Sequence, residues 1–136
     1  VLKKFFLFFC KIEIFGGVML TFEEAQIALD EIADALPPAI FDRLNGGYVL
    51  TEEALFDADG LVILGQYHRE PQGLGRYITV HYGSMVEVYG NFSPKSFRRE
   101  LKRVLHHELT HHLEDLAGDK SLEIQDEIDK ADMLRL

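Results

Sequence analysis

The chain is short of three things, and each shortage removes a class of protein. It has one cysteine, Cys10, so it forms no internal disulfide and its fold does not depend on an oxidising compartment, which fits a cytoplasmic protein. It has 14 lysines and arginines against 23 aspartates and glutamates, a formal net charge of -9 and a pI near 5.0. A protein that holds phosphate backbones needs a net basic face, so nucleic acid is not an expected partner. It also has no apolar run approaching the ~20 residues that cross a bilayer, and no membrane association is expected. Repeats and low-complexity segments are missing as well.

What is present is 136 residues with 47% hydrophobic content, enough for one domain around a single core and too little for two. The first residues, VLKKFFLFFCKIEIFGGVML, stand apart in composition. Lys3 and Lys4 precede a run from Phe5 to Phe9, but that run is shorter than the roughly 7 to 15 apolar residues of a signal peptide. Lys11 and Glu13 follow it without a small-residue cleavage site, and bulky Phe9 before Cys10 does not suit lipid attachment. Gly16-Gly17 lies just ahead of Val18-Met19, where two glycine codons can spell a ribosome-binding sequence. The expectation is that Met19 is the natural start, that 1–18 is translated leader outside the fold, and that 19–136 is a single domain.

Thr21 with Glu24 three residues on forms a capping box, and Phe22, Ile27, Ala28, Ile32, Ala35 and Leu36 recur at helical spacing until Pro37-Pro38. A short helical turn over Ile40 to Leu44 closes on Asn45-Gly46-Gly47. Strands are expected at 48–50 and 61–67, and most strongly at 76–82, where RYITVHY alternates with period two. EPQGLG between the last two reads as a loop, and Gly83-Ser84 as the start of a short helix ending at Gly90. Ser93-Pro94 opens a long helix whose stripe is Phe97, Leu101, Val104, Leu105, Leu109, Leu113 and Leu116. Gly118 is expected to stop it, and Ser121 to open a final acidic helix through Leu136 that folds back on the first. The expected class is α+β, a small mixed sheet packed against this long helix.

Residues 104 to 119, VLHHELTHHLEDLAGD, hold four of the six histidines. Within them lies His107-Glu108-Leu109-Thr110-His111, the HExxH pattern. Residues four apart on a helix stack one turn above each other, so both imidazoles can reach one Zn2+ at roughly 2.0 to 2.1 Å. Glu108 beside the first ligand is then placed as a general base toward water. The plain alternative is a solvated, histidine-rich helix face. His106 and His112 point to other flanks and read as supporting or surface groups, and His68 and His81 as ordinary histidines in or near strands. A third metal ligand is expected from Asp126, which shares a helical face with Leu122 and Met133, with Glu114 and Glu123 as alternatives. Asp119 and Glu127 read as solvated acids. Tyr82, His81 and Arg76 are candidates to stabilise an oxyanion, and the strand at 76–82 to align an extended peptide by its edge.

The segments TFEEAQIALDEIADALPP, LNGGYVL, LGQYHREPQGLGRYITVHYGSM and HHELTHHLEDLAGDKSLEIQDEI resemble the small bacterial zincin-like metallopeptidases, or minimal zincins, over most of residues 20 to 134. The resemblance implies a pared-down metalloprotease fold, a small sheet on an HExxH helix, with His107 and His111 as ligands and Glu108 as catalytic base. It also accounts for a start at Met19. The chain departs from the form HExxHxxGxxD, since Glu114 stands at the Gly position and Ala117 at the Asp position. Three functions follow in order: a zinc metallopeptidase or amidohydrolase acting on peptide or protein substrates, a non-catalytic zinc-binding module, and an acidic protein-interaction domain.

Overall fold

The computed structural model describes the backbone of residues 19–134 and the side chains of 19–119, 128, 129 and 131. Residues 1–18, and with them the expected leader, lie outside the described residues.

Helix α1 (Phe22–Asp34) begins where the capping box requires. The Thr21 hydroxyl accepts from the Glu24 N–H at 3.2 Å, and the Glu24 carboxylate accepts from the Thr21 N–H at 2.9 Å. Ala25, Ala28, Leu29, Ile32 and Ala33 form its buried face and pack toward the long helix. After Pro37 comes a 3-10 turn (Pro38–Phe41). Gly47 then takes a φ of +64°, a left-handed conformation that only glycine adopts freely, and turns the chain into the first strand.

Five strands follow: β1 (Gly47–Thr51), β2 (Leu55–Phe56), β3 (Val62–Ile63), β4 (Gly65–Glu70) and β5 (Gly75–His81). Their order in the main sheet is β1-β5-β4, with β1 parallel and β4 antiparallel to β5. The sheet is therefore mixed, and the class is α+β, as expected. Two strand expectations change. The run at 61–67 divides at Leu64, because Val62 and Ile63 pair with β2 while Gly65 onward pairs with β5. The strand expected at 76–82 is β5, which has a neighbour on each side, so it offers no edge to a peptide. Among the described residues the free edge beside the long helix belongs to β4.

Ile78 and Val80 of β5 are fully buried against the helices, and period-two alternation sends Tyr77, Thr79 and His81 to the opposite face. Helix α2 (Tyr82–Tyr89) starts directly after β5. Helix α3 (Pro94–Leu134) starts on Ser93, whose hydroxyl accepts from the Ser96 N–H at 3.2 Å. Phe97, Leu101, Val104, Leu105 and Leu109 are its buried face, each worth about 1.5–3 kcal/mol in burial. The stripe leaves the core after that, since Leu113 is 44% exposed.

The expected break at Gly118 does not occur: α3 is one helix of 41 residues. A glycine stop needs φ above zero, and Gly118 is not among the positive-φ glycines. Among the described residues no helix is long and apolar enough to cross a membrane.

Candidate metal centre

Gly65 is what lets β4 lie on α3 at the HExxH turn. A Cβ placed there would stand 2.7 Å from Val104 Cγ1 and 3.3 Å from Glu108 Cγ, so only a bare Cα fits. The strand edge and the helix are thereby held close, with Glu108 between them at 6% exposure. His107 and His111 flank it and are exposed, with Nε2 to Nε2 3.1 Å and rings at 90°. Ligating atoms of His107, Glu108 and His111 all lie within 4.8 Å of one another, the one such cluster of three or more His, Cys, Asp or Glu among the described residues. Burial pushes the Glu108 carboxyl above its ordinary pKa, against the pull of His107, His111 and His68.

Two clefts meet at Glu108. One, about 380 Å³, is mostly apolar and runs along Val62 to Gly65 toward Tyr89, with Val104 and His107 on its helix side. The other, about 650 Å³, is polar and lined by Gln66, Tyr67, Arg69, Glu108, His111, Glu114 and Asp115. The edge of β4 runs past both.

A scan against protein families finds no match for this chain, and no curated protein matches it. Among solved structures it is similar to a conserved hypothetical protein from Thermus thermophilus, at 29% identity and a TM-score of 0.63. The match covers 73% of this chain and 99% of that one. It supports the arrangement of sheet and helices and carries no statement of activity.

Glu123 and Asp126 have side chains outside the described residues. Their backbone positions on an unbroken α3 stand about 18 and 22 Å along the axis from His111 at 1.5 Å per residue. Glu114 lies 3.7 Å from His111 Nδ1, the nitrogen turned away from His107. The contact is longer than a hydrogen bond and sets the Glu114 carboxylate beside His111, on the side away from His107.

His112 is neither a surface group nor a partner of the cluster. It is fully buried, with Nε2 donating to the Asp42 carbonyl at 2.8 Å and Nδ1 3.0 Å from the Tyr67 hydroxyl. Tyr67 in turn donates to Asp115 at 2.8 Å, and burial together with that carboxylate raises its pKa to about 12. His106 is half-buried beside Leu36 and Ile40, away from the centre.

Asp119, expected to be solvated, is instead part of an ion-pair group one turn farther along α3. Arg76 bridges Asp115 (2.8 Å) and Asp119, and Arg69 bridges the same two acids at 2.8 and 3.2 Å. Partial burial opposes ionisation of Asp115, but hydrogen bonds from Arg76 and Tyr67 and the Arg69 charge outweigh it and hold its carboxyl below the usual range. This group fastens β4 and β5 to the helix just past His111. The alternation RYITVHY showed only that Arg76 and Tyr77 face opposite ways; the acids that receive Arg76 lie 39 and 43 residues on, with no local signal joining them.

Proposed function

We propose that the chain is a zinc-dependent hydrolase of peptide or amide bonds, with His107 and His111 as metal ligands and Glu108 as general base. What carries the reading is the fit of the two imidazoles to one ion. Two nitrogens at 2.0–2.1 Å from a tetrahedral ion are roughly 3.3 Å apart, and His107 and His111 present theirs at 3.1 Å. When bound, zinc supplies Lewis-acid polarisation of a carbonyl and brings the pKa of water to about 7.

The chain's own residues account for the rest. Glu108, buried beside the β4 edge, takes a proton from water as the water oxygen bonds to the carbonyl carbon and the C=O electron pair moves onto oxygen. The C–N bond then breaks, and the same carboxyl returns the proton to the leaving nitrogen. The free edge of β4 offers backbone groups to an extended peptide, which would lay its residues across the apolar and polar clefts on either side of Glu108. Such a protein fits the cytoplasm, given its single cysteine.

The test is metal content by elemental mass spectrometry, followed by turnover of a fluorogenic peptide library. Near one zinc per chain, lost in His107→Ala and His111→Ala, is expected, with Glu108→Gln keeping the metal and losing turnover. Bound zinc with no Glu108-dependent turnover would assign the site to a non-catalytic zinc-binding module instead.

A further inference from the structure

We propose that the centre acts on peptides that end close to the bond cleaved: Arg103 receives the free C-terminal carboxylate of the substrate, one or two residues past that bond. The assignment names a substrate class and rests on the hydrolytic reading above.

Other polar groups near the centre are occupied or turned away. The Tyr82 hydroxyl donates to the Leu20 carbonyl at 2.8 Å, and buried His81 lies on the sheet face opposite the helices. Arg69 and Arg76 both bridge Asp115 and Asp119. Arg103 differs from these. It lines the apolar cleft together with His107 and Glu108, and its side chain is 71% exposed. Its ion-pair partner among the described residues is Glu100, at 3.4 Å, beyond an ordinary N–H···O hydrogen bond. Glu100 is buried, and Arg99 stands 3.9 Å from its other oxygen. One carboxylate shared by two guanidinium groups leaves one positive charge in excess where the cleft opens.

Charge along α3 decides which way a peptide lies. Residues 94–103 hold Lys95, Arg98, Arg99, Lys102 and Arg103 against Glu100 alone, in a chain of net charge -9. Residues 104–119 hold Glu108, Glu114, Asp115 and Asp119 and no lysine or arginine. The sign therefore reverses at the histidines. β4 runs beside α3 in the same direction, since Gly65 meets Val104 while Arg69 reaches Asp115 and Asp119. A peptide on the free edge of β4, with its carboxyl end toward Arg103 and its amino end toward Glu114, is matched in charge at both ends. It also runs antiparallel to β4, the more stable pairing.

Distance sets how far the carboxylate is from the cleaved bond. Arg103, His107 and His111 are four residues apart and form one row on the helix. Arg103 thus stands about 6 Å before His107 along the axis, and an extended chain advances about 3.4 Å per residue. A carbonyl held at the imidazoles is then one or two residues from a carboxylate at Arg103, and the side chain between them falls in the apolar cleft.

The test offers the zinc-loaded protein three sets of N-acetylated hexapeptides: free acids, the matching C-terminal amides, and amides with Asp or Glu in the last two positions. Mass spectrometry locates each cut, and the best peptide of each set gives kcat and KM. Wild type is expected to cut the free acids one or two residues from their end, with kcat/KM about 10-fold above the matching amides, the size of a charge-assisted contact that water partly screens. Arg103→Ala should bring acids and amides level through KM, with kcat and zinc content retained, because the contact is the same before and during the reaction. Arg103→Lys, which guards against a folding defect in the first variant, should keep part of the preference. Lys102→Ala removes an equal charge outside the cleft and should keep all of it. Equal cleavage of acids and amides by a wild type whose turnover needs zinc and Glu108 would overturn the proposal and leave the hydrolytic reading standing. So would a preference for free acids that persists in Arg103→Ala, or acidic amides cut as fast as free acids. No zinc- and Glu108-dependent cleavage of any set would overturn both.

Discussion

Replacing Gly65 by alanine tests whether the β4 edge and α3 are held at the distance on which the candidate site depends. The added Cβ would lie 2.7 Å from Val104 Cγ1, a separation that real Cβ atoms do not show, and 3.2 Å from the Thr79 carbonyl oxygen. Either Val104 yields or the strand lifts off the helix, and overpacking of this kind costs about 1–3 kcal/mol. Val104 is 7% exposed, so Val104→Ala alone loses two buried methyl groups and leaves a small void, about 1.5–2.5 kcal/mol. In the double variant the new methyl occupies part of that void. It should therefore be more stable than the sum of the single changes by at least about 1 kcal/mol. Urea unfolding followed by fluorescence and circular dichroism together measures the cycle, and thermal melts should follow at roughly 4 °C per kcal/mol. A coupling within about 0.5 kcal/mol of zero would refute the close approach of strand and helix at Glu108.

The ion-pair group beyond His111 predicts an asymmetry: Asp115→Asn, which strips Arg76 of a partner where both side chains are under 20% exposed, should cost about 2–4 kcal/mol. Arg69→Ala, at 49% exposure, should cost at most about 1 kcal/mol in the same urea titration. Burial, with a smaller push from His68, lowers the His81 pKa, and the Asp115 carboxyl is also held low, so for both groups the unfolded chain binds protons at higher pH than the fold. Stability from His81 is then complete above the ordinary histidine range and falls as pH drops below it, while Asp115 adds a further loss below the ordinary carboxylate range. Denaturant midpoints measured from pH 8 to pH 3 should fall in those two windows, and a flat profile would contradict both assignments. Thr21→Ala removes the hydroxyl half of the capping box and should cost about 1 kcal/mol, read in a thermal melt.

Local chemistry was legible along the chain. Thr21 with Glu24, Ser93 before Pro94, the period of RYITVHY and the HExxH spacing each set an element or a face through contacts a few residues apart, and each is found where its physics put it. Sequence could not decide which strand pairs with which, because backbone hydrogen bonds are the same for every partner. That is why the run at 61–67 divided between two sheets, and why the free edge passed from β5 to β4. Gly118 misled for a related reason: a glycine permits a left-handed stop without demanding one, and an unbroken α3 carries Asp126 away from His111 rather than back to it. The spacing of His107, Glu108 and His111 on one helical face was settled by 3.6 residues per turn. Tertiary packing alone buried His112 and joined Arg76 to Asp115 and Asp119, because each of those contacts closes across residues that no local rule relates.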